Sequence, residues 1–183
     1  MSPAAMTVPP AGEFPNSSAL PVLLYRQAFA GAACGAQAIE KRFTENGWGG
    51  TWCDGLYAFH HYHSRGHEAL GVCKGWGRVQ LGGDAGEVVR LEAGDAVVLP
   101  AGVAHKKVAS SPDFSVVGSY PPGQWPDMNT GKPGEREAAE RAIAALPHPA
   151  TDPVEGAGGP LPKLYAAAQA STSGAPSRTP AGE

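Results

Sequence analysis

Short apolar runs at a regular spacing constrain the fold of this chain more than any other feature. Between Gly55 and Tyr120 a run begins about every ten residues, and turn residues, chiefly glycine, separate the runs. Short strands at this spacing predict an all-β sandwich or barrel. No helical pattern interrupts them, which argues against parallel strand–helix–strand units. The predicted strands are Leu56–Tyr62, Glu68–Cys73, Gly77–Leu81, Glu87–Leu91, Ala96–Leu99, His105–Val108 and Phe114–Ser119.

The segments on either side of these strands carry different patterns. Leu20–Tyr25 is apolar and contains a proline near its start, which predicts one more short strand. Gln37–Thr44 has its apolar residues on one side of a helix and stops at Asn46-Gly47, so it predicts a short N-terminal helix. Glu135–Leu146 is rich in alanine and stops before Pro147, which predicts a C-terminal helix.

A chain of 183 residues is long enough for one domain of ordinary size. We predict a single domain over residues 16–147, with the barrel core at about residues 55–120. Glycine marks turns in the centre of the chain, whereas many of the 18 prolines lie near its ends. Residues 1–15 are therefore expected to form a flexible arm, and the Pro/Gly/Ala-rich residues 148–183 a disordered tail.

Five of the six histidines lie between positions 60 and 105. His61 and His63 are two residues apart, so in a strand their imidazoles share a face and one metal ion can bridge them. Glu68 follows a tight turn and can return a carboxylate to that ion, whereas His105 reaches it only in a folded barrel. Three imidazoles and one carboxylate suit Fe(II), Zn, Ni, Mn or Cu. The sequence thus predicts one divalent transition metal at these four residues, with coordination positions left for substrate or dioxygen.

These residues also carry a resemblance to the cupins. One cupin pattern, G-x5-H-x-H-x4-E-x6-G, is matched by Gly55, His61, His63, Glu68 and Gly75, and the second, G-x5-P-x-G-x2-H-x3-N, by Gly94, Pro100, Gly102 and His105. Ala109 replaces the final asparagine of the second pattern, which leaves the ligands intact but puts local barrel packing in doubt.

Over residues 14–146 the sequence resembles the YjlB-like single-domain cupins. The resemblance implies a double-stranded β-helix, the cupin or jelly-roll barrel, with a short N-terminal helix and a C-terminal helix flanking it. It also implies that the four ligand positions hold a metal. It implies no particular reaction.

Alternation of side chains along a strand predicts which way the remaining histidines of this region and one cysteine face. His67 could replace Glu68 as a ligand in a shifted register, although the spacing favours Glu68. Otherwise His67 is expected to be a hydrogen-bond partner of the ligands or a surface residue. His60 alternates with His61 and should face the outer wall of the barrel. Cys73 should face away from the ligands as a buried structural thiol.

Other side chains near the motifs have both a functional and a structural interpretation. Tyr57, Phe59 and Trp76 could line a substrate pocket, but we expect them to fill the barrel core. Lys106 and Lys107 point to opposite faces of a strand, so at most one of them could attract an anionic substrate. The favoured interpretation of both lysines is that they are solvated.

The ligand set favours a metal-dependent enzyme acting on a small oxygen-rich organic molecule. The preferred hypothesis is oxygenase-type, dioxygenase-like chemistry at the 3-His/1-Glu centre. The alternatives are a Lewis-acid isomerase, lyase or decarboxylase using Zn, Ni or Mn, and a non-catalytic cupin that binds a small molecule or a metal. No general acid or base is assigned, and Tyr57, Tyr62 and Glu87 are the candidates.

Charge and hydropathy argue against other classes of partner. The net charge is −3 and the basic residues are scattered, so no nucleic acid is expected. The apolar runs are far shorter than the roughly 20 residues of a membrane helix, and Met1–Pro15 shows no secretory signal. Three irregularly spaced cysteines make no disulfide framework, so we expect a cytoplasmic protein. The family resemblance implies a homodimer, for which Leu20–Tyr25 could supply a pairing strand.

Overall fold

A computed structural model describes residues 2–173 of the chain. The strands in that range are β1 (Ala4–Val8), β2 (Ser17–Tyr25), β3 (Gly49–Asp54), β4 (Glu68–Lys74), β5 (Trp76–Leu81), β6 (Val88–Glu92), β7 (Ala96–Leu99), β8 (His105–Ser110) and β9 (Ser115–Tyr120). The helices are α1 (Ala36–Glu45), α2 (Glu135–Ala144) and α3 (Pro160–Ser173), and a short 3-10 helix spans Gly31–Cys34.

The strands form two antiparallel sheets. The larger sheet has the order β1-β2-β7-β4-β9-β3, and the smaller has the order β6-β5-β8. Strands that follow one another in sequence often lie in different sheets, so the chain winds between the sheets as it proceeds. This arrangement confirms the predicted all-β double-stranded β-helix with flanking helices.

The core of the barrel lies between the two sheets, and a second apolar layer lies outside the larger sheet. On β4, Leu70 and Val72 point into the barrel, whereas Ala69 and Cys73 point outward against the helices. Both faces of β4 are therefore buried, which explains why its sequence is a continuous apolar run instead of an alternating one.

Helices α1 and α3 cover the outer face of the larger sheet. Ile39 and Phe43 on α1 and Leu161 and Tyr165 on α3 are fully buried in this layer. Gly71 makes the close approach of α1 possible, because a Cβ atom at this position would lie only 2.6 Å from the Cγ2 atom of Ile39. The helical layer fixes the position of β4, which carries Glu68 at its start.

The predicted strands from Glu68 onward are confirmed, with bounds shifted by at most two residues. The predicted strand Leu56–Tyr62 is wrong. This segment crosses the open end of the barrel as a loop with isolated bridges, in which His61 pairs with His105 and Tyr62 with Asn129. Because consecutive residues pair with different partners, no continuous ladder forms. Strand β3, which the sequence did not predict, takes the edge beside β9 instead.

The predicted flexible arm, residues 1–15, is also wrong. Strand β1 lies within it and pairs antiparallel with β2. Val8 is buried in the barrel core and Met6 packs against it, so apolar burial holds the segment in place. The prolines at positions 9 and 10 follow the strand without interrupting its ladder.

The predicted disordered tail, residues 148–183, is wrong over most of its length. Helix α3 lies within it, and prolines at positions 160 and 162 stand in its first turn, where a missing N–H costs nothing. Leu161 and Tyr165, four residues apart, bury one side of the helix on the larger sheet. The remainder of the tail, residues 174–183, lies outside the described residues.

The segment Leu20–Tyr25, which the sequence suggested as a dimerisation strand, lies inside the larger sheet and not at its edge. Leu23 and Leu24 of β2 are paired with β1 on one side and β7 on the other. The homodimer thus stays a prediction, and Leu20–Tyr25 is not the strand that could form it. Among residues 2–173, no helix has the length and apolar character needed to span a membrane.

One buried carboxylate joins α3 to the sheet and provides a test of this layer. Asp152 accepts hydrogen bonds from the Tyr25 hydroxyl at 2.5 Å and from the backbone N–H groups of Val154 and Leu161 at 2.8 and 3.1 Å. We expect Tyr25→Phe to lower the free energy of unfolding by about 1–3 kcal/mol, because the buried carboxylate loses a donor. Chemical denaturation measures the change.

The matched control is Tyr165→Phe. Tyr165 is equally buried in the same layer, but its hydroxyl has no hydrogen-bond partner within residues 2–173. This variant should be as stable as the wild-type protein or slightly more so. Equal losses in both variants would contradict the role given to Asp152.

Candidate metal centre

Three buried histidines meet at one end of the barrel. Ring nitrogens of His61, His63 and His105 lie within 4.8 Å of one another. Their exposed fractions are 3%, 7% and 1%. Three imidazoles at this separation could hold a metal ion.

Backbone hydrogen bonds bring the histidines together. The His61 N–H donates to the His105 carbonyl at 3.2 Å, and the His105 N–H donates to the His61 carbonyl at 2.9 Å. The Gly102 N–H donates to the His63 carbonyl at 2.8 Å. Gly102 has a φ of +93°, and a Cβ atom there would lie 2.8 Å from the Asn16 carbonyl oxygen. Glycine is therefore required at the turn that precedes His105.

Each of the three rings is oriented by a backbone carbonyl. The Nδ1 atom of His61 lies 3.3 Å from the Phe59 carbonyl oxygen, that of His63 lies 2.5 Å from the Asp127 backbone carbonyl oxygen, and that of His105 lies 3.0 Å from the Val103 carbonyl oxygen. A carbonyl can only accept, so each Nδ1 carries the hydrogen of the neutral ring. The Nε2 lone pairs are then free for a metal, as in metal sites whose ligands are fixed by outer hydrogen bonds.

Glu68 completes the cluster from β4. Its Oε2 lies 3.5 Å from Nε2 of His63 and 3.4 Å from Nε2 of His105. Its Oε1 accepts a hydrogen bond from the Tyr120 hydroxyl at 2.9 Å. The Trp52 indole N–H donates in turn to the Tyr120 oxygen at 2.7 Å. The structure thus brings together all four residues that the sequence motifs predicted.

The electrostatics of the cluster suit a cation. Burial lowers the pKa of His61 to about 3, with a further contribution from the neighbouring imidazoles. Burial opposes ionisation of Glu68, but His63 and His105 hold its pKa below the usual range. Burial likewise lowers the pKa of His63, but Glu68 outweighs this effect and raises it. A buried carboxylate is therefore kept ionised beside imidazoles.

Two buried atoms of the cluster have no hydrogen-bond partner in the part of the chain that the structure describes. They are Oε2 of Glu68 and Nε2 of His105, which lie 3.4 Å apart. Buried polar atoms without partners are costly and rare in folded proteins. One cation between them would satisfy both, so the donor set fits a transition metal.

The other two histidines of this region do not join the cluster. His67 directly precedes β4 and points away from Glu68, so that its Nδ1 accepts from the Ala101 N–H at 3.0 Å and its ring lies 5.6 Å from that of Tyr165. The shifted register with His67 in place of Glu68 is thus incompatible with the geometry. His67 is 2% exposed, so it is not a surface residue. Its Nδ1 hydrogen bond is to the backbone of Ala101, so it is not a partner of the ligands either. His60 packs against Phe14, with ring centroids 5.4 Å apart.

The sequence did not predict three residues that support the site. Tyr120 shares the inner face of β9 with Val116, so alternation along that strand could have found it. Trp52 lies on β3, a strand that no apolar run in the sequence predicted. Asp127 accepts from the Ser64 N–H at 2.7 Å and the Ser64 hydroxyl at 2.6 Å. These bonds hold the segment whose carbonyl orients His63.

An open cavity of about 640 Å³ leads to the cluster. Its lining residues are Trp52, Cys53, Asp54, Gly55, Leu56, Tyr57, His61, His63, Glu68, His105, Lys107, Tyr120, Pro126 and Met128. This size is typical of pockets for small molecules.

Tyr57, Phe59 and Trp76, for which the sequence allowed either a pocket or a core position, lie in different places. Tyr57 lines the cavity and is 54% exposed, and Phe59 stacks on it and is 48% exposed, so both lie at the rim and neither fills the core. Trp76 lies outside the cavity, beneath the guanidinium of Arg90 at 4.4 Å. The predicted core position of these three aromatic residues is therefore wrong.

Two of the three candidate acids or bases lie away from the cavity. Tyr62 is fully buried beside Phe14 and α2. Glu87 is exposed on the turn before β6. Only Tyr57 of the three lines the cavity, and Cys73 is buried on the outer face of β4, as predicted. Strand β8 continues through Ala109, which pairs with Arg78 of β5, and the register of this ladder shifts between Ala109 and Lys107.

Comparisons with known proteins agree with this architecture. The model of the cupin domain family matches residues 55–116. The chain is 41% identical over 157 residues to the uncharacterized protein YjlB of Bacillus subtilis (strain 168), a match that covers 86% of this chain and 93% of YjlB. The chain is a YjlB-like cupin. The identity of this relative confirms the resemblance that the motifs carried.

Two solved structures show a more distant likeness to this cupin. One is an acireductone dioxygenase from Bacillus anthracis with a cadmium ion in its active centre, at 16% identity and a TM-score of 0.36, covering 54% of this chain and 76% of the other. The other is an uncharacterized protein with a double-stranded β-helix domain from Klebsiella pneumoniae, at 17% identity and a TM-score of 0.34, covering 70% and 79%.

Tyr120 provides a test of how Glu68 is oriented. We expect Tyr120→Phe to weaken metal binding by about 10- to 100-fold, because outer hydrogen bonds that orient ligands contribute this much to affinity. Competition against a chromogenic chelator measures the dissociation constant. Tyr62→Phe is the control, since the Tyr62 hydroxyl has no hydrogen-bond partner among the described residues. Equal affinity in the wild-type protein and Tyr120→Phe would contradict this role.

Proposed function

We propose that this cupin is a metal-dependent enzyme that acts on a small oxygen-rich organic molecule, with oxygenase-type chemistry at a 3-His/1-Glu centre. The observation that supports it most is the pair of unpartnered buried atoms, Glu68 Oε2 and His105 Nε2, at the inner end of an open cavity. A cation between them would remove the cost of their burial and would face the cavity.

The residues of the chain divide the work of such a site. His61, His63, Glu68 and His105 would hold one divalent ion, for which Fe, Zn, Ni, Mn and Cu are all compatible. A bound redox-active ion such as Fe(II) would supply a place where substrate oxygen atoms and dioxygen meet. All four residues line the cavity, so small molecules could reach an ion that they held.

Tyr120 orients the Glu68 carboxylate and does not act as a base. Burial and the nearby Glu68 carboxylate raise the pKa of Tyr120 well above its usual value. The hydroxyl therefore keeps its proton at neutral pH and continues to donate to Glu68. This leaves Tyr57, at the rim of the cavity, as the remaining proton-transfer candidate of the three predicted from the sequence.

The same geometry is compatible with two alternatives. With Zn, Ni or Mn the site could catalyse isomerisation, elimination or decarboxylation as a Lewis acid. A non-catalytic cupin that binds a small molecule or a metal would use the same cavity. A cytoplasmic location and a homodimer, both expected from the sequence, stay proposals.

Metal content is the decisive measurement. We expect untagged protein to contain about one equivalent of a transition metal by elemental analysis, and His61→Ala/His63→Ala to contain almost none. His60→Gln/His148→Gln is the matched control, because it also removes two histidines but leaves the cluster intact. Metal-free native protein that stays metal-free after reconstitution would refute the proposed function.

The choice between redox and Lewis-acid chemistry needs a second measurement. Fe(II)-loaded and Zn-loaded protein are compared for oxygen uptake with a panel of hydroxy-ketones, enediols and catechols. Uptake by the Fe(II) form alone is expected. Turnover of a panel member without oxygen consumption by the Zn form would favour the isomerase or lyase alternative instead.

A further inference from the structure

Strand β8 carries the ligand His105 and then two consecutive lysines. Alternation places His105 and Lys107 on one face and Lys106 on the other. The Lys106 ammonium accordingly lies 2.9 Å from an Asp84 carboxylate oxygen, outside the cavity. Lys107 lines the cavity together with the metal-binding cluster. Of the two lysines, Lys107 is therefore the one that could attract an anionic substrate, an interpretation that the sequence left open.

The charge of the Lys107 ammonium is unpaired among the residues that the structure describes. Within residues 2–173 no carboxylate forms an ion pair with it, whereas Lys106 is paired. Both carboxylates on the cavity wall have other partners. Asp54 accepts from the Gly55 N–H at 2.7 Å, and Glu68 accepts from the Tyr120 hydroxyl and faces His63 and His105. Among residues 2–173, Lys107 is thus a cation in the wall of a pocket that forms no ion pair.

A backbone hydrogen bond fixes where the Lys107 side chain begins relative to the cluster. The Lys107 N–H donates to the Tyr57 carbonyl at 2.8 Å, which holds β8 against the loop that leads to His61. The ammonium lies 3.9 Å from the place that a Cβ atom on Gly55 would take. Along a strand, residues i and i+2 are about 6.7 Å apart, so His105 and Lys107 can contact two ends of one small molecule.

The wall between the cluster and the rim is largely apolar. Trp52, Leu56 and Met128 line it, and Tyr57 lies at the rim. Such a wall accepts a short carbon chain or a ring but offers few hydrogen bonds to a neutral polar tail. It also lowers the local dielectric constant, which strengthens the attraction between Lys107 and an anion.

We propose that the substrate is a small carboxylic acid whose carboxylate pairs with Lys107 while oxygen atoms at its other end bind at the metal centre. The inference rests on the proposed function and adds the substrate class. A single ammonium fits a carboxylate, since phosphate sites usually gather several donors or a helix N-terminus. The carboxylate serves to orient the molecule, and the reacting end lies at the cluster.

Chelating probes of matched shape test this assignment. The probes are monohydroxamates of dicarboxylic acids of increasing chain length, each compared with its neutral terminal carboxamide. In Zn-loaded protein we expect the carboxylate probe of best length to bind about tenfold or more tightly than its carboxamide, by isothermal titration calorimetry. Lys107→Gln should abolish this preference, and Lys107→Arg should retain most of it.

Lys106→Gln is the matched control, because it removes the same charge from the opposite face of β8. It should keep the preference for the carboxylate probe. Equal affinity for both probes in the wild-type protein, or equal loss in Lys106→Gln and Lys107→Gln, would overturn the assignment. So would binding of neither probe.

Metal content measured on the same samples keeps the two proposals separate. Loss of the metal in every preparation refutes the proposed function. The probe comparison is then made on metal-free protein, where a Lys107-dependent preference for the carboxylate is still expected, though at lower affinity. A metal-loaded protein without that preference refutes the substrate class and leaves the metal-dependent function standing.

Discussion

The Glu68 carboxylate at the start of β4 is sealed from solvent, and the surrounding centre is arranged around the cost of burying it. A buried carboxylate needs donors or opposite charge to stay ionised. Tyr120 provides one hydrogen bond to Oε1, but Oε2 faces ring nitrogens of His63 and His105 whose Nδ1 hydrogens already go to backbone carbonyls. A cation bound between these atoms would supply the missing partner, and the proposed function depends on that binding.

Because side chains alternate between the two faces of a strand, one residue can serve the site while its neighbour has a structural role. At the start of β4, Glu68 points to the histidine cluster, whereas His67, directly before the strand, contacts Tyr165 of α3. On β8, Lys107 points into the cavity while Lys106 pairs with Asp84. A shift of one residue in either strand would exchange these roles. The helical layer that holds β4 in register is therefore part of what positions the site.

Segments far apart in sequence close the end of the barrel where the cluster lies. Asn16 accepts from the Ala104 N–H at 3.0 Å and donates to the Gly82 carbonyl at 3.0 Å, so the N-terminal segment supports the turn before His105. Asp127 ties the segment after β9 to Ser64, beside His63. The loop that carries His61 and His63 gains from these contacts the rigidity that a continuous strand ladder would otherwise supply.

Local periodicity and turn chemistry, which a single sequence displays, determined the strands from Glu68 onward, and the spacing of two motifs determined which four side chains meet in the cluster. Only the tertiary structure decided that the arm forms β1, that α3 covers the sheet, that Trp52 and Asp127 support the cluster, and that the lysine in the cavity wall is Lys107. These outcomes depend on burial against distant partners. Met6 and Tyr165 look ordinary in sequence, and their apolar surface is worth burying only once the barrel offers a face to cover.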